Sequence, residues 1–435
     1  MAFDPDQVEC VGDLASLQRG NTYKSKLLGF PGPILLGLAS IERGGGFRSD
    51  NLKTYGGDSP EKLRLYPGDL YVSLKDVTQA AHLLGAVVRV PEGVRGRLTQ
   101  DTVKLVIPGV PSDWKAYLYW LLRTPEYRAY CKANSMGTTN LSLSREDFLS
   151  FPVPPLSMAR QHAVTVLESI ESRINHNRAL AANLEAIARR LFKSWFVDFD
   201  PVRAKATGEK PPGLADDIAA LFPDRFVGSE SGEVPEGWVY QPITSIASVL
   251  SGGTPKRSAT EYWDGDIPWY SVVDAPKGSD TFVVQTSEYI TQLGLAKSAA
   301  KLLPAGVTIL SARGTVGKLA LTCGPMTINQ SCYAMKCDLG DYFTYFTIAQ
   351  SIEWLKQNVH GAVFDTITKA TLNGMMVVTP PRKVALAFEV IVKPLMLRIE
   401  TSVRECHILL SIRNLLLPSL ISGKLRIEEQ GLSNV

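Results

Sequence analysis

The sequence predicts an α+β chain written twice, with two mixed α/β domains, each followed by one long coiled-coil helix. Three observations carry this prediction. Five segments recur in the same order at shifts of 225 to 238 residues. Each mixed region stops at a Pro-Pro pair, Pro154-Pro155 and Pro380-Pro381. After each pair an apolar stripe alternates spacings of three and four, the heptad seam of a coiled coil.

The repeat is read segment by segment. "LASLQRGNT" (Leu14–Thr22) aligns with "IASVLSGGT" (Ile246–Thr254), and "GPILLGLAS" with "DIPWYSVVD". "YPGDLYVS", ending at Ser73, parallels "LPAGVTILS", ending at Ser311. "TNLSLSREDFLSFPVPP" resembles "FDTITKATLNGMMVVTPP", and "IARRLFKSWF" (Ile187–Phe196) matches "IRNLLLPSLI" (Ile412–Ile421). No single match is compelling; their common order is.

In chain order, residues 1–155 form the first mixed domain, with short Val/Ile/Tyr/Leu runs between Gly and Pro turns, the pattern of strands. Residues 156–197 form the first long helix, with Leu167, Ile170, Ile174, Asn177, Ala181, Leu184, Ala188 and Leu191 on its seam. Proline at its head costs nothing, because the missing N–H has no helical partner there. Residues 198–238 are a connector rich in Pro, Gly and acidic residues, with a short amphipathic piece around Ile218–Phe222. Residues 239–381 repeat the mixed domain and 382–426 the helix, leaving a tail at 427–435. The second seam is Val392, Met396, Ile399, Val403, Cys406, Leu410 and Leu417. Arg413 interrupts it, and Pro394 and Pro418 are expected to bend or break the helix. Two core helices inside ordinary domains are the plainer account. Against it, each stripe runs ~35–40 residues, far beyond the usual helix, and would span ~50–60 Å. Paired, the two would make a rod holding the domains apart, with Asn177 as a register pin or a solvated end position.

Composition excludes more than it assigns. The 435 residues are 45% apolar and 20% charged, with net charge +3 from 46 basic and 43 acidic side chains. Near-neutrality does not demand nucleic acid, though local basic clusters can still bind it. No apolar run approaches the ~18 residues of a membrane span, and "MAFDPDQVEC" is not a signal peptide, so a cytoplasmic location is expected. Six cysteines make no disulfide framework. Cys323, Cys332 and Cys337 lie at spacings foreign to zinc sites, so buried strand cysteines and no metal are expected.

One motif invites a catalytic reading. "TILSARGTVGKLALT" (Thr308–Thr322) resembles a phosphate-binding loop. Counting back from Gly317-Lys318, however, the first glycine of that loop falls on Ala312 and its hydroxyl on Leu319, so the required spacing is absent. The segment instead reads as a hairpin. Val307, Ile309 and Leu310 lead into a Gly314/Gly317 turn, and Leu319, Ala320 and Leu321 lead out. Such a turn lifts Arg313 and Lys318, a geometry suited to phosphates or base edges. There is no Gly-x-Gly cofactor fingerprint after a strand, no Gly-x-Ser-x-Gly elbow, and no Asn/Asp-Pro-Pro-aromatic motif for base methylation.

With the duplication, five motifs resemble the specificity (S) subunits of type I restriction-modification systems over nearly the whole chain. They are "GGTPKR" (Gly252–Arg257), "YWDGDIPWYS" (Tyr262–Ser271), "SARGTVGK" (Ser311–Lys318), "NQSCYAM" (Asn329–Met335) and "WFVDFDPVRAKATG" (Trp195–Gly208). The resemblance implies two target-recognition domains, each reading half of a split double-stranded DNA target, with antiparallel helices as the ruler between them. It implies two methyltransferase (modification) subunits carrying S-adenosylmethionine, restriction subunits in the full complex, and no catalytic residue or cofactor in this chain. Two alternatives remain open: a scaffold joining methyltransferase subunits without reading DNA, and a nucleotide-dependent enzyme using RGTVGK.

The DNA-facing candidates of the second domain are Thr254, Lys256, Arg257, Trp269, Tyr270, Arg313, Thr315, Lys318, Asn329 and Gln330. Trp263 and Trp269 are equally compatible with a core. In the first domain "RGNTYKSK" replaces "GGTPKR" and "LKDVTQAAHLLG" follows Ser73, as two different half-sites require. Its candidates are Asn21, Tyr23, Lys24, Arg48, Lys75, Thr78 and Gln79. Asp198, Asp200, Arg203 and Lys205 are candidates for docking a partner.

Overall fold

The computed structural model describes residues 3–50, 52–138, 140–229, 232–276, 278, 280–358 and 366–425. The 427–435 tail and the last residue expected in the second helix lie outside the described residues. The chain folds as two units, one of Met1–Ile174 with Leu409–Val435 and one of Asn175–Ile408.

The strands of the first unit's two main sheets are β1 (Ser16–Arg19), β2 (Ile34–Leu36), β3 (Arg64–Leu65), β4 (Leu70–Ser73), β5 (Val87–Arg89), β6 (Gly96–Leu98) and β7 (Thr102–Val106), and short strands at Lys75–Asp76, Ser135–Met136 and Leu141–Leu143 make a third sheet. An antiparallel sheet runs β1-β7-β4-β5, and a smaller one runs β2-β6-β3 with β2 and β6 parallel. Three helices follow, α1 (Ser112–Leu121), α2 (Pro125–Ala133) and α3 (Arg145–Leu149). Thr124 caps α2 by accepting from the Tyr127 N–H, with Pro125 in the first turn, where proline is favoured. The first long helix, α4, spans Met158–Phe196.

The second unit repeats this plan. After α5 (Asp200–Ala206) and α6 (Asp216–Ala219) come β8 (Ala247–Ser251), β9 (Trp263–Tyr270), β10 (Phe282–Val283), β11 (Glu288–Ile290), β12 (Thr308–Ser311), β13 (Leu319–Thr322), β14 (Thr327–Ile328) and β15 (Cys332–Cys337). Its main sheet is β8-β15-β12-β13-β10, whose first four strands are antiparallel and ordered as in the first unit. Its smaller sheet again holds one parallel pair, β9 with β14. The helices α7 (Asp341–Gln350), α8 (Ile352–Gln357) and α9 (Lys369–Gly374) then precede α10 (Arg382–Ile421). The duplication read from the sequence is a duplication of structure.

The long helices carry their apolar stripes inward. In the first unit Ala163, Val164 and Leu167 share a core with Leu417, Leu420 and Ile421. There Arg160 donates to the Ile421 carbonyl and Glu171 accepts from Arg413, so numbers rise along one helix as they fall along the other: the pairing is antiparallel. In the second unit Ala181, Ala188 and Phe192 pack with Val392, Met396, Ile399 and Val403. Asn177 is fully buried on this seam. Two expectations about α10 are corrected. It runs unbroken through Pro394 and Pro418; the residues whose carbonyls lose a donor, Val390 and Asn414, are exposed, a setting in which solvent can satisfy a freed carbonyl. Arg413 does not interrupt the seam either. It is buried within it, paired with Glu171 at 2.7 Å.

The connector is folded rather than loose. Phe199, Val202, Phe222 and Trp238 are buried with Trp195 and Phe196 in the core of the second unit. Cys332 and Cys337 are buried residues of β15, as expected, and burial pushes the Cys332 thiol up to about 12.

Candidate nucleic-acid interface

In the second unit RGTVGK is the turn of the β12–β13 hairpin. Gly314 and Gly317 take positive φ of 76° and 83°, the region other residues avoid. Ser311 organises the turn, its hydroxyl donating to the Thr315 carbonyl and accepting the Lys318 N–H at 2.8 Å. The Ile367 N–H meets the Ala312 carbonyl at 2.9 Å, so the turn's base is anchored from the segment before α9. Arg313, Thr315 and Lys318 are exposed. Among the described residues neither Arg313 nor Lys318 has an acidic partner.

The GGTPKR loop leaves β8 under tight constraint. A Cβ on Gly252 would lie 2.1 Å from the Asn329 carbonyl oxygen, and one on Gly253 2.3 Å from the backbone at Ala299–Ala300. Gly252 therefore seats this loop against the segment between β14 and β15, and Gly253 seats it against Ala299–Ala300. Thr254 there hydrogen-bonds Gln330, so "GGTPKR" and "NQSCYAM" meet at one place. Asn329 folds that segment, its side-chain oxygen accepting the Ser331 N–H at 3.0 Å. Lys256 and Gln330 are exposed, and Thr254 and Asn329 half-buried.

Two candidates in this domain are corrected, and a third is found paired. Trp269 is 2% exposed and donates from its indole to the Gly253 carbonyl at 2.9 Å; Tyr270 is 0% exposed. Both are core residues with no face to offer DNA. Arg257 is exposed but committed: it is bidentate with Glu288 and stacks on Trp263 at 4.0 Å and Trp269 at 4.8 Å. The Glu288 hydrogen bond raises the Arg257 pKa, and Arg257 in turn lowers that of Glu288.

In the first unit the loop after β4 is built by Asp76, a residue outside the DNA-facing candidates. Asp76 is buried and accepts from the Leu83 N–H at 2.6 Å, the Thr78 N–H at 2.8 Å and the Thr78 hydroxyl at 2.9 Å. Burial opposes its ionisation, but these donors prevail and hold its carboxyl below the ordinary value. Lys75, Thr78 and Gln79 are exposed on this loop, Lys75 facing Asp101 at 3.8 Å and Gln79 donating to the Thr138 carbonyl. The other candidates lie elsewhere in the unit. Asn21 accepts from Arg97 at 2.6 Å, and Tyr23 packs edge-on against Tyr55. Lys24 is exposed, and Arg48 pairs with Asp50 at 3.6 Å. Arg97, 2% exposed, was also missed. It binds the Asp58, Leu98 and Thr22 carbonyls and stacks on Tyr55, tying the 21–24 loop to the 55–58 loop.

The four docking candidates are engaged within the second unit. Asp198 pairs with Lys193, and Asp200 accepts from Ser194 at 2.6 Å. Arg203 donates to the Asp198 carbonyl and stacks on Phe226. Lys205 caps the end of α6, donating to the Ala219 and Phe222 carbonyls. Their contacts fold the connector.

Comparison with known proteins places this geometry. The sequence profile of the family described as Type I restriction modification DNA specificity domain matches residues 235–384. The Type I restriction enzyme HindI specificity subunit of Haemophilus influenzae is 26% identical over 357 residues, 71% of this chain and 77% of that one. The MjaIX specificity subunit of Methanocaldococcus jannaschii is 25% identical over 346 residues, 76% of this chain and 73% of that one. In fold, the chain is similar to a crystal structure of a type I restriction-modification S subunit from M. genitalium, with TM-score 0.54 and 14% identity over 94% of each chain.

Proposed function

The chain belongs to the specificity subunits of type I restriction-modification systems, and on that footing we propose that it reads a split DNA target with one recognition domain per half. One observation carries the reading. Equivalent strands, β4 and β12, end in equivalent serines that fold the loops behind them. Ser73 donates to the Lys75 carbonyl and accepts its N–H, as Ser311 does with Thr315 and Lys318. The frame is duplicated and the loops differ, which is what two unlike half-sites need. Phosphate contacts position such loops and base contacts give them specificity.

In this reading Arg313, Thr315, Lys318, Lys256 and Gln330 face the second half-site, and Lys75, Thr78 and Gln79 the first. The long helices set the separation of the halves. The chain performs no chemistry itself. Two methyltransferase subunits supply S-adenosylmethionine and the methyl transfer, restriction subunits complete the nuclease, and the assembly works on DNA in the cytoplasm. The modification subunits dock on the long helices and the connector, where the contacts of Asp198, Asp200 and Arg203 lie at the surface.

The test is Arg313→Ala in complexes co-expressed with the modification subunits. We expect assembly unchanged by size-exclusion chromatography and DNA affinity weakened by about 1–3 kcal/mol if Arg313 reads a base. Affinity equal to wild type at matched salt would remove Arg313 from the interface.

A further inference from the structure

We infer that the first recognition domain carries a preformed cleft, braced by Arg128 and lined by His82 and Lys132, in which Lys132 grips a phosphodiester of the DNA backbone; this rests on the DNA-reading function proposed above. The cleft has a volume of about 280 Å³ and is lined by Gly44, Ala80, Ala81, His82, Arg128, Ala129 and Lys132. Every described lining side chain is small or basic, and none is acidic. It opens on the far end of the loop that bears Lys75, Thr78 and Gln79.

Its walls are tied together. Arg128, on α2, donates to the Leu84, Ala81 and His82 carbonyls, and the His82 carbonyl also accepts the Gly44 N–H at 3.0 Å. Ala81 sits at φ 56°, a left-handed conformation costly for alanine. The surrounding bonds hold it there. The Arg128 charge is met by carbonyl dipoles rather than a carboxylate. The nearby Asp76 carboxylate already takes its three donors from the loop backbone and Thr78. Lys132 is exposed in the last turn of α2 and has no acidic partner among the described residues. Lys75 and Arg48, by contrast, both face acids.

A rigid basic cleft without acidic walls selects an anion. At this volume it falls just below the ~300–1,000 Å³ of small-molecule sites, which suits one phosphodiester and its waters better than a free nucleotide. Beside a base-reading loop, such a contact fixes register and carries no sequence information.

The experiment uses the full chain assembled with its modification subunits, and duplexes carrying the target. Lys132→Ala and Lys132→Glu should weaken binding equally for all sequences. They should flatten the slope of log K against log salt by about one, the signature of one lost phosphate contact. Lys132→Arg should restore both. If wild type binds with a steep salt slope and Lys132→Glu matches it, the cleft assignment is overturned while DNA reading stands. If wild type shows no salt-dependent DNA binding, DNA reading itself fails. A change of preferred bases in one half-site would make the cleft a base reader and overturn the phosphate role. Tight inorganic phosphate binding by calorimetry, lost in Lys132→Glu with DNA affinity intact, would make it a small-anion site and overturn the DNA assignment.

Discussion

Replacing Glu168 should loosen the first recognition domain from the helix that carries it. Arg89, at the end of β5, meets both Glu168 oxygens on α4 at 2.6 Å, and the Trp120 indole of α1 donates to one of them at 2.6 Å. The Arg89 guanidinium lies 4.0 Å over the Tyr119 ring. Behind it, Arg123 and Arg413 share Glu171 at 3.8 and 2.7 Å. Glu168→Ala would leave three arginines facing one carboxylate and strand the indole N–H. Breaking a buried pair costs about 3–5 kcal/mol. The Glu168 side chain is 33% exposed, so water recovers part of that, and the expected loss is about 2–3 kcal/mol. Glu168→Gln keeps an acceptor for Trp120 and should lose about half as much. The chain has two units, and one melting curve does not say which of them is loosened, so the assay is hydrogen exchange followed peptide by peptide, with Arg89→Met completing a double-mutant cycle. Protection should fall in peptides of the first unit and stay constant in those of the second. A coupling energy below about 0.5 kcal/mol would refute the cluster as a link.

Two further outcomes follow, one from a corrected candidate and one from a buried carboxylate. Trp269→Ala should cost about 3–5 kcal/mol, as expected for emptying a core position, and be seen as a lower melting temperature; wild-type melting with weaker DNA binding would return Trp269 to the interface. Glu389 accepts the Phe343 N–H at the head of α7, yet burial, helped by the nearby Asp341, raises its carboxyl to about 7 from 4.5. A folded pKa above the unfolded one gives stability that is full below about pH 4.5 and lost as pH rises through about 7. Glu389→Gln should therefore match wild type near pH 5 and exceed it at pH 8, by at most about 3 kcal/mol; parallel pH profiles of melting temperature for the two proteins would contradict this.

What the sequence made legible was whatever repeats. Seam residues such as Leu167, Ile174 and Val403 declare themselves by period, because burial on a helix face recurs every three or four positions. The RGTVGK hairpin was readable because Gly314 and Gly317 satisfy a local backbone need. Pairings between distant segments were not. Arg257 looked unpaired until its position beside Glu288, 31 residues away, supplied a partner. Trp269 and Tyr270 are residue types that serve cores and stacked bases alike, and only burial separates the roles. Pro394 and Pro418 suggested breaks because the sequence does not say which carbonyls face water. The Arg89, Arg123, Glu168, Glu171 and Arg413 cluster, and the cleft at His82 and Lys132, each combine segments that share no motif.

The most direct measurement is single-molecule sequencing of DNA methylation in the source organism with this gene intact and deleted. Loss of one bipartite methylated motif on deletion, restored by the wild-type gene, is the predicted result. A Lys75/Thr78/Gln79 triple alanine variant should then perturb one half of that motif and an Arg313/Thr315/Lys318 variant the other. A methylation pattern identical with and without the gene, in cells expressing active modification subunits, would contradict the account.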